Sequence, residues 1–328
     1  MSIVVTIINF SASRDANCIK IANFIENMMP KKEVKIFNFH EINLLPCGYC
    51  EYECIKKGEH CKINDKLIEI YETISKSEEA IFILPNYRDY PCANFFIFNE
   101  RGTGYYSLDL EKREKYKSVK KKFIVLSNST GENFKQAFSY HVNSEPDILF
   151  LGAKKVGINA LDKNMADKEG IRKLIKSFIK EKYRIERSAM AVVIYKEKIL
   201  CTEEEIYGVP CVSLPKGHIE KGETVLQAAI RECFEETNVV IKESDLIEYL
   251  DSYEVVFTNH YYEIVKKIIY PVLFVVQDPG EPKSKEERIK KVEFMNVGGF
   301  LLSCSYGNII DVAKKVILKL SGKDKKIL

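Results

Sequence analysis

The sequence predicts an α/β protein in two parts, a doubly wound parallel sheet followed by a smaller α+β region. Three observations carry this. Short apolar runs alternate with amphipathic helical stretches through the first half of the chain. That alternation stops after the charged stretch "KEGIRKLIKSFIKEKYRI" at 168–185. With 328 residues, 46% of them hydrophobic, the chain exceeds one typical core and suits two domains.

The elements follow in order. "IVVTIINF" is a strand and "NCIKIANFIENMM" a helix; "EVKIFNF" is a strand and "DKLIEIYETISKS" a helix. "EAIFILP" is a third strand, followed by a long irregular segment. "KKFIVLSN" and "DILFLGAKKVG" are strands separated by the helix "ENFKQAFSYHV", and 168–185 closes the series as an amphipathic helix. Continuous apolar strands between helices imply a parallel sheet covered on both faces, and five such strands suit a flavodoxin-like order. Beyond the boundary "YRIERS" the expected elements are the strands "SAMAVVIYKEKIL" and "IIYPVLFVV" and two helices, one around "RECFEET" and one at "IIDVAKKVILKL". The expected domains are therefore 1–184 and 185–328.

Composition narrows the function. A net charge of +3 gives no global case for a nucleic-acid partner. No apolar run approaches a membrane span, so no membrane partner is expected. The opening "MSIVVTIINF" lacks a basic leader and a small-residue cleavage site and reads as a buried strand rather than a signal peptide. Ten cysteines in a chain of this size do not make a secreted scaffold, and a reducing cytoplasm is the expected compartment. There, the cluster Cys47, Cys50, Cys54 and Cys61 points to metal or redox chemistry before disulfides.

In "LPKGHIEKGETVLQAAIRECFEETNV", Gly217 is followed by Glu223 six residues on, and by Arg231, Glu232, Glu235 and Glu236 after eight more. At 3.6 residues per turn the three last glutamates fall within an arc of about 100°. Leu226, Ala229, Ile230, Cys233 and Phe234 supply the expected inner stripe, leaving the glutamates off it and free to face a cleft. This pattern resembles the Nudix hydrolase signature at each defining position but the last glycine, where Asn238 stands; Asn tolerates a left-handed helix cap. The resemblance covers about 186–328. It implies an α+β Nudix domain in which Glu232, Glu235 and Glu236, with the backbone carbonyl of Lys216, bind Mg²⁺ or Mn²⁺. Arg231 would orient a glutamate, and Glu223 would support the helix or a second metal. Glu232 is one candidate general base; Glu281, Glu286 and Glu287 in "QDPGEPKSKEER" are others. The substrates implied are nucleoside diphosphates linked to another group, and "LPKGHIEKGE" is closer to dinucleoside polyphosphate hydrolases than to members with two glycines there. Tyr207, Tyr253, Phe257, Tyr261 and Tyr262 could stack on a base, although core or strand-face positions are the commoner use of such rings.

In a doubly wound sheet the ligand lies beyond the C-terminal strand ends. The loops there, "FSASRDAN", "LPNYRDYPCANFFIFNERGTGYY" and "SNSTGEN", together resemble NADPH-dependent FMN reductases and iron–sulfur flavoproteins. The resemblance covers about 1–183. It implies an FMN site from Ser11, Ser13, Arg14 and Asn17 in the first loop, Pro85, Asn86, Tyr87 and Arg101 in the second, and Thr130 and Gly131 in the third. Phe10 and Ala16 stand where the family has glycines. The cysteines run C-x2-C-x3-C-x6-C, one residue longer than the family's spacing between the second and third. They could hold a [4Fe–4S] cluster or zinc, or be free thiols; His60 is a spare ligand candidate.

Together these features lead to a bifunctional enzyme. Its Nudix half would hydrolyse a substrate such as FAD, NADH, ADP-ribose or a dinucleoside polyphosphate, and its flavodoxin-like half would be an FMN-dependent NAD(P)H oxidoreductase, a type often dimeric. The alternative is a nucleotide sensor whose Nudix domain binds without cleaving while the first domain responds.

Overall fold

A computed structural model describes residues 4–322 except 49, 58, 60, 107, 108, 130–134 and 207. By contact the chain divides into two units, Met1–Tyr183 with Thr258–Ile264, and Arg184–Phe257 with Val265–Leu328. Among the described residues no helix is long and apolar enough to cross a membrane.

The first unit contains β1 (Val4–Asn9), α1 (Asn17–Asn27), β2 (Glu33–Asn38), α2 (Glu53–Lys57), α3 (Leu67–Lys76), β3 (Glu79–Tyr87), β4 (Tyr90–Pro91), α4 (Ala93–Tyr106), α5 (Leu110–Ser118), β5 (Lys120–Leu126), α6 (Lys135–Ser139), β6 (Asp147–Leu151), α7 (Ala153–Val156) and α8 (Glu169–Ile179). Five strands pair in parallel in the order β2-β1-β3-β5-β6, the doubly wound arrangement, and β4 folds back on β3. Alternate residues serve opposite faces, as strand geometry requires. Phe82, Leu84, Phe123 and Val125 meet α3, α4 and α5, while Ile81, Ile83, Ile124 and Leu126 meet α1 and α8.

The segment after β3, expected to be irregular, holds α4 and α5. Its glycines conceal a helix because here they serve packing. A Cβ on Gly102 would lie 2.4 Å from Tyr71 Oη, and one on Gly104 would lie 2.9 Å from Cys61 Cβ. The strand expected over "DILFLGAKKVG" ends at Leu151, where Gly152 passes so close to Ser127 that a Cβ would meet its carbonyl oxygen.

The second unit contains β7 (Arg184–Tyr195), β8 (Lys198–Ile206), β9 (Val209–Ser213), β10 (Lys216–His218), α9 (Val225–Thr237), β11 (Leu246–Tyr249), β12 (Tyr253–Thr258), β13 (Ile264–Val275), β14 (Ile289–Asn296), α10 (Val297–Ser303) and α11 (Gly307–Gly322). The mixed sheet runs β11-β13-β7-β8-β14, with β9, β10 and β12 paired alongside. Its long central pair, β7 with β13, is parallel. Ala189, Ala191 and Val193 of β7 pack toward α9; Met190, Val192 and Ile194 pack with Ile309, Val312 and Val316 of α11. The stretch "SAMAVVIYKEKIL" is a hairpin rather than one strand, turning at Lys196 and Glu197, both with positive φ (47° and 61°).

Candidate functional site

Helix α9 begins at a capping box, in which Thr224 Oγ1 accepts from Gln227 N–H and the Gln227 side chain accepts from Thr224 N–H. It ends at Asn238 with φ 59°, the left-handed cap conformation. Its buried face is Ala228, Ala229, Glu232, Cys233, Glu236 and Thr237. This corrects the expected stripe. Phe234 is exposed under Lys285 Nζ, and two of the three glutamates point inward, 9% (Glu232) and 2% (Glu236) accessible. The helix is turned this way because those carboxylates find partners there, which apolar periodicity alone cannot register.

The partners come from the strand in front and from two arginines. A Cβ on Gly217 would lie 2.0 Å from the Glu232 carboxylate, so only a glycine backbone lets that carboxylate sit where it does. Lys216 N–H donates to Glu236 Oε2 at 3.1 Å. Arg231 donates to both oxygens of Glu223 at 2.9 Å, to Glu232 Oε1 at 2.8 Å, to Glu235 Oε2 at 2.9 Å and to the His218 carbonyl at 2.8 Å. That guanidinium holds the Glu223 carboxyl below its usual range. Glu236 is the opposite case: burial pushes it up to about 7, against the pull of Arg288 and Lys216. Glu223, Arg231, Glu232, Glu235, Glu236 and Lys216 are thus brought together, with Glu235 the exposed member.

Arg288, Lys267 and the Lys216 side chain belong to the same cluster and were not singled out in the sequence. Arg288 bonds Glu236, and burial lowers both lysines among the glutamates. They carry no fixed offset from the signature, so no spacing could reveal them. Of the later acidic residues, Glu286 joins the cluster through Arg288, while Glu281 and Glu287 are exposed loop residues. Of the aromatic candidates described, two pack and two are exposed. Tyr253 packs on the second unit's core and Phe257 is exposed; Tyr261 is exposed beside His260, and Tyr262 packs on Gly170, both within the first unit. Tyr207 lies outside the described residues.

Among the described residues, no three His, Cys, Asp or Glu side chains converge as metal ligands in this arrangement. At the glutamate cluster the reason is visible, since arginines hold the carboxylates. The donors are hard oxygens suited to Mg²⁺ or Mn²⁺, and Gly217 clears the space a Cβ would fill, so the residues fit such an ion.

In the first unit a cleft of about 880 Å³ opens at the C-terminal strand ends, lined by Ser11, Ser13, Asn17, Pro85, Asn86 and Tyr87 among others. Ser11 Oγ accepts from Ser13 N–H at 3.2 Å. Asn86 Nδ2 donates to Ser127 Oγ and Ser129 Oγ, while among the described residues nothing donates to its buried Oδ1. An acceptor left open there fits a ligand with a ring N–H, as a flavin has. One expected donor is already engaged, and one expected residue lies elsewhere. Asn17 is not a free donor, because its amide donates to Ala160 and Asp162 carbonyls and accepts from Ala166 N–H, fastening a neighbouring loop. Arg101 is buried on α4, pairing with Asp65 and donating to the Leu45 carbonyl and to Cys61 Sγ, away from the cleft. Thr130 and Gly131 lie outside the described residues. Cys47, Cys50, Cys54 and Cys61 line a separate cavity of about 190 Å³, where burial raises the Cys47 and Cys54 thiols. Their sulfurs do not converge on one point as a cluster or zinc site requires; His60 is outside the described residues.

A family model of the NUDIX domain matches residues 185–305. Solved structures similar to this chain include an Ap4A hydrolase from C. elegans (17% identity, 42% of this chain and 99% of that one, TM-score 0.34). Another is the NUDIX domain of NrtR from Shewanella oneidensis in complex with ADP ribose (17% identity, 43% and 92%, TM-score 0.35). An iron–sulfur flavoprotein of Clostridioides difficile (strain 630) is 29% identical over 102 residues, 30% of this chain and 45% of the relative. The chain therefore spans less than half the length of that curated relative, and the likeness falls in its N-terminal part. Signature, site geometry and family match agree that residues 185–305 are a Nudix domain, joined to an N-terminal α/β unit with a distant flavoprotein likeness.

Proposed function

We propose that the chain joins two enzymes, a flavodoxin-like oxidoreductase over 1–184 and a Mg²⁺- or Mn²⁺-dependent hydrolase of nucleoside-diphosphate-linked substrates over 185–328. The observation that carries the hydrolase is the pair of inward carboxylates, Glu232 pressed on the Gly217 backbone and Glu236 bonded by Lys216 N–H. A bound divalent ion would supply charge neutralisation for a pyrophosphate and a lowered pKa for the attacking water. Glu232, Glu235 and Glu236, with the Lys216 carbonyl, would hold it. Arg231, anchored by Glu223, fixes two of those carboxylates in place. Glu232 or Glu286, both within the cluster, would take the proton from water.

Incubation with FAD, NADH, ADP-ribose and dinucleoside polyphosphates in the presence of Mg²⁺ tests this reading. Glu236→Gln should abolish hydrolysis while nucleotide binding persists. A wild type that binds but cleaves none of these is instead a sensor.

For the first unit, the cleft with its open Asn86 acceptor supports FMN, and NAD(P)H is the expected reductant. The flavin supplies the redox chemistry, and the protein orients it. FMN fluorescence quenching on titration tests it: Asn86→Ala should weaken binding about tenfold, roughly the loss of one well-made hydrogen bond. An unchanged affinity removes Asn86 from the site.

A further inference from the structure

Arg288 stands outside the Nudix signature, one residue ahead of β14, with its guanidinium spread over three carboxylates. Nε donates to Glu286, Nη1 to Glu204 Oε1 at 2.9 Å, and Nη2 to Glu236 Oε1. Two of these partners are fixed. Glu204 lies on β8 opposite Ile289, and Glu236 lies on the buried face of α9 with its other oxygen held by Lys216 N–H. A buried carboxylate without a cation is costly, and Arg288 supplies that cation. Its own side chain is nevertheless half exposed, and residues 276–288 form no helix or strand. The guanidinium can therefore leave without breaking a ladder. Arg231, by contrast, is tied to three carboxylates and a carbonyl, and Lys216 Nζ is tied to Ser213 Oγ at 2.6 Å.

We infer that Arg288 is an internal counter-cation that holds Glu236 when no divalent ion is present, is displaced when one binds, and then turns to the phosphates of the nucleotide. A guanidinium and a divalent ion repel each other and compete for the same carboxylate oxygen. Once displaced, the planar fork of the guanidinium matches two phosphate oxygens, which a lysine cannot do. Metal and substrate loading are thereby linked, because the ion releases the side chain that grips the substrate. The second half of this inference rests on the hydrolase reading above; the first half does not.

The two halves predict opposite effects of one substitution. In Arg288→Ala, Mn²⁺ alone should bind about tenfold more tightly, the size of one charge-assisted hydrogen bond no longer in competition. KM for a cleaved nucleotide should rise about tenfold for the loss of the phosphate contact. Free Mn²⁺ is read by its electron paramagnetic resonance signal at one fixed pH. Arg288→Lys, which keeps charge but not the fork, should hold Mn²⁺ affinity near wild type and still raise KM. A merely structural role would weaken metal and nucleotide together. Unchanged or weaker Mn²⁺ binding by Arg288→Ala, at wild-type melting temperature, overturns the inference. If Arg288→Ala does not fold, Arg288→Lys decides: wild-type KM overturns it. A wild type that binds Mn²⁺ but cleaves no nucleotide refutes the hydrolase reading instead, and the Mn²⁺ comparison still decides this one.

Discussion

Gly217→Ala isolates what the close approach of backbone and carboxylate does. The new Cβ would lie 2.0 Å from Glu232 Cδ and Oε2 and 2.1 Å from Oε1. Ordinary carbon contacts begin near ~3.5 Å, so the carboxylate must retreat by about 1.5 Å. It can do so, because it is the end of a flexible side chain, at a rotamer cost of order 1 kcal/mol. Stability should therefore fall little. The position of the carboxylate is what is lost, and a misplacement of this size costs about 10²-fold in rate, or ~2.7 kcal/mol of transition-state stabilisation. The assay is phosphate release from the cleaved nucleotide by a coupled phosphatase, with a thermal melt alongside. A kcat/KM within about threefold of wild type at unchanged metal dependence would refute the reasoning, since about 10²-fold is required.

Other outcomes follow from the same geometry. Arg231→Lys keeps the charge but cannot serve Glu223, Glu232, Glu235 and the His218 carbonyl at once, so hydrolysis should drop at least tenfold; near-full activity would show the fork to be dispensable. Asn238→Ala, at φ 59°, should cost about 1 kcal/mol in urea melts and Asn238→Gly little or nothing; equal losses would deny the role of the left-handed cap. His141 is buried and neutral, pushed down to about 3 by burial, with Nδ1 bonded to Tyr116 Oη at 2.7 Å. Its unfolded form takes up a proton below about 6.5 and its folded form does not, so stability is flat above that pH and falls as pH drops toward 3, by up to ~1.4 kcal/mol per unit. Urea midpoints at several acid pH values should show that slope, and His141→Phe should flatten it; an identical slope in both would place the acid sensitivity elsewhere.

The first sheet was legible because its strands are apolar on both faces, and runs such as "AIFILP" leave little choice. Helix α4 was not, because Gly102 and Gly104 read as breakers in a chain whose neighbours, Tyr71 and Cys61, are unknown until it folds. In the second unit β8 carries Glu203, Glu204 and Glu205, so no apolar run marks the outer half of a strand that pairs with β9 and β14. The glutamate helix was legible through fixed offsets from Gly217, which made up for a misjudged inner face: apolar periodicity put Phe234 inside and Glu236 outside, the reverse of where they lie. Arg288 and Lys267 stayed hidden because their link to Glu236 exists only in three dimensions. Asn17 lines the cleft, but the bonds of its amide to a loop about 145 residues later in the chain were hidden for a similar reason.

The parallel pairing of β7 with β13 also bears on how the chain is made. Arg184 meets Val265, a separation of 265 − 184 = 81 residues. At a translation rate of about 5–20 residues per second, β7 waits roughly 4–16 s for its partner after leaving the ribosome. During that time "AMAVVI" is an apolar edge open to other nascent chains. Its tight turn to β8, at Lys196 and Glu197, needs no distant partner and can close within microseconds. The hairpin therefore covers only Ile194 and Tyr195 on the other side of this strand, where Ser188, Ala189 and Met190 must wait for β10.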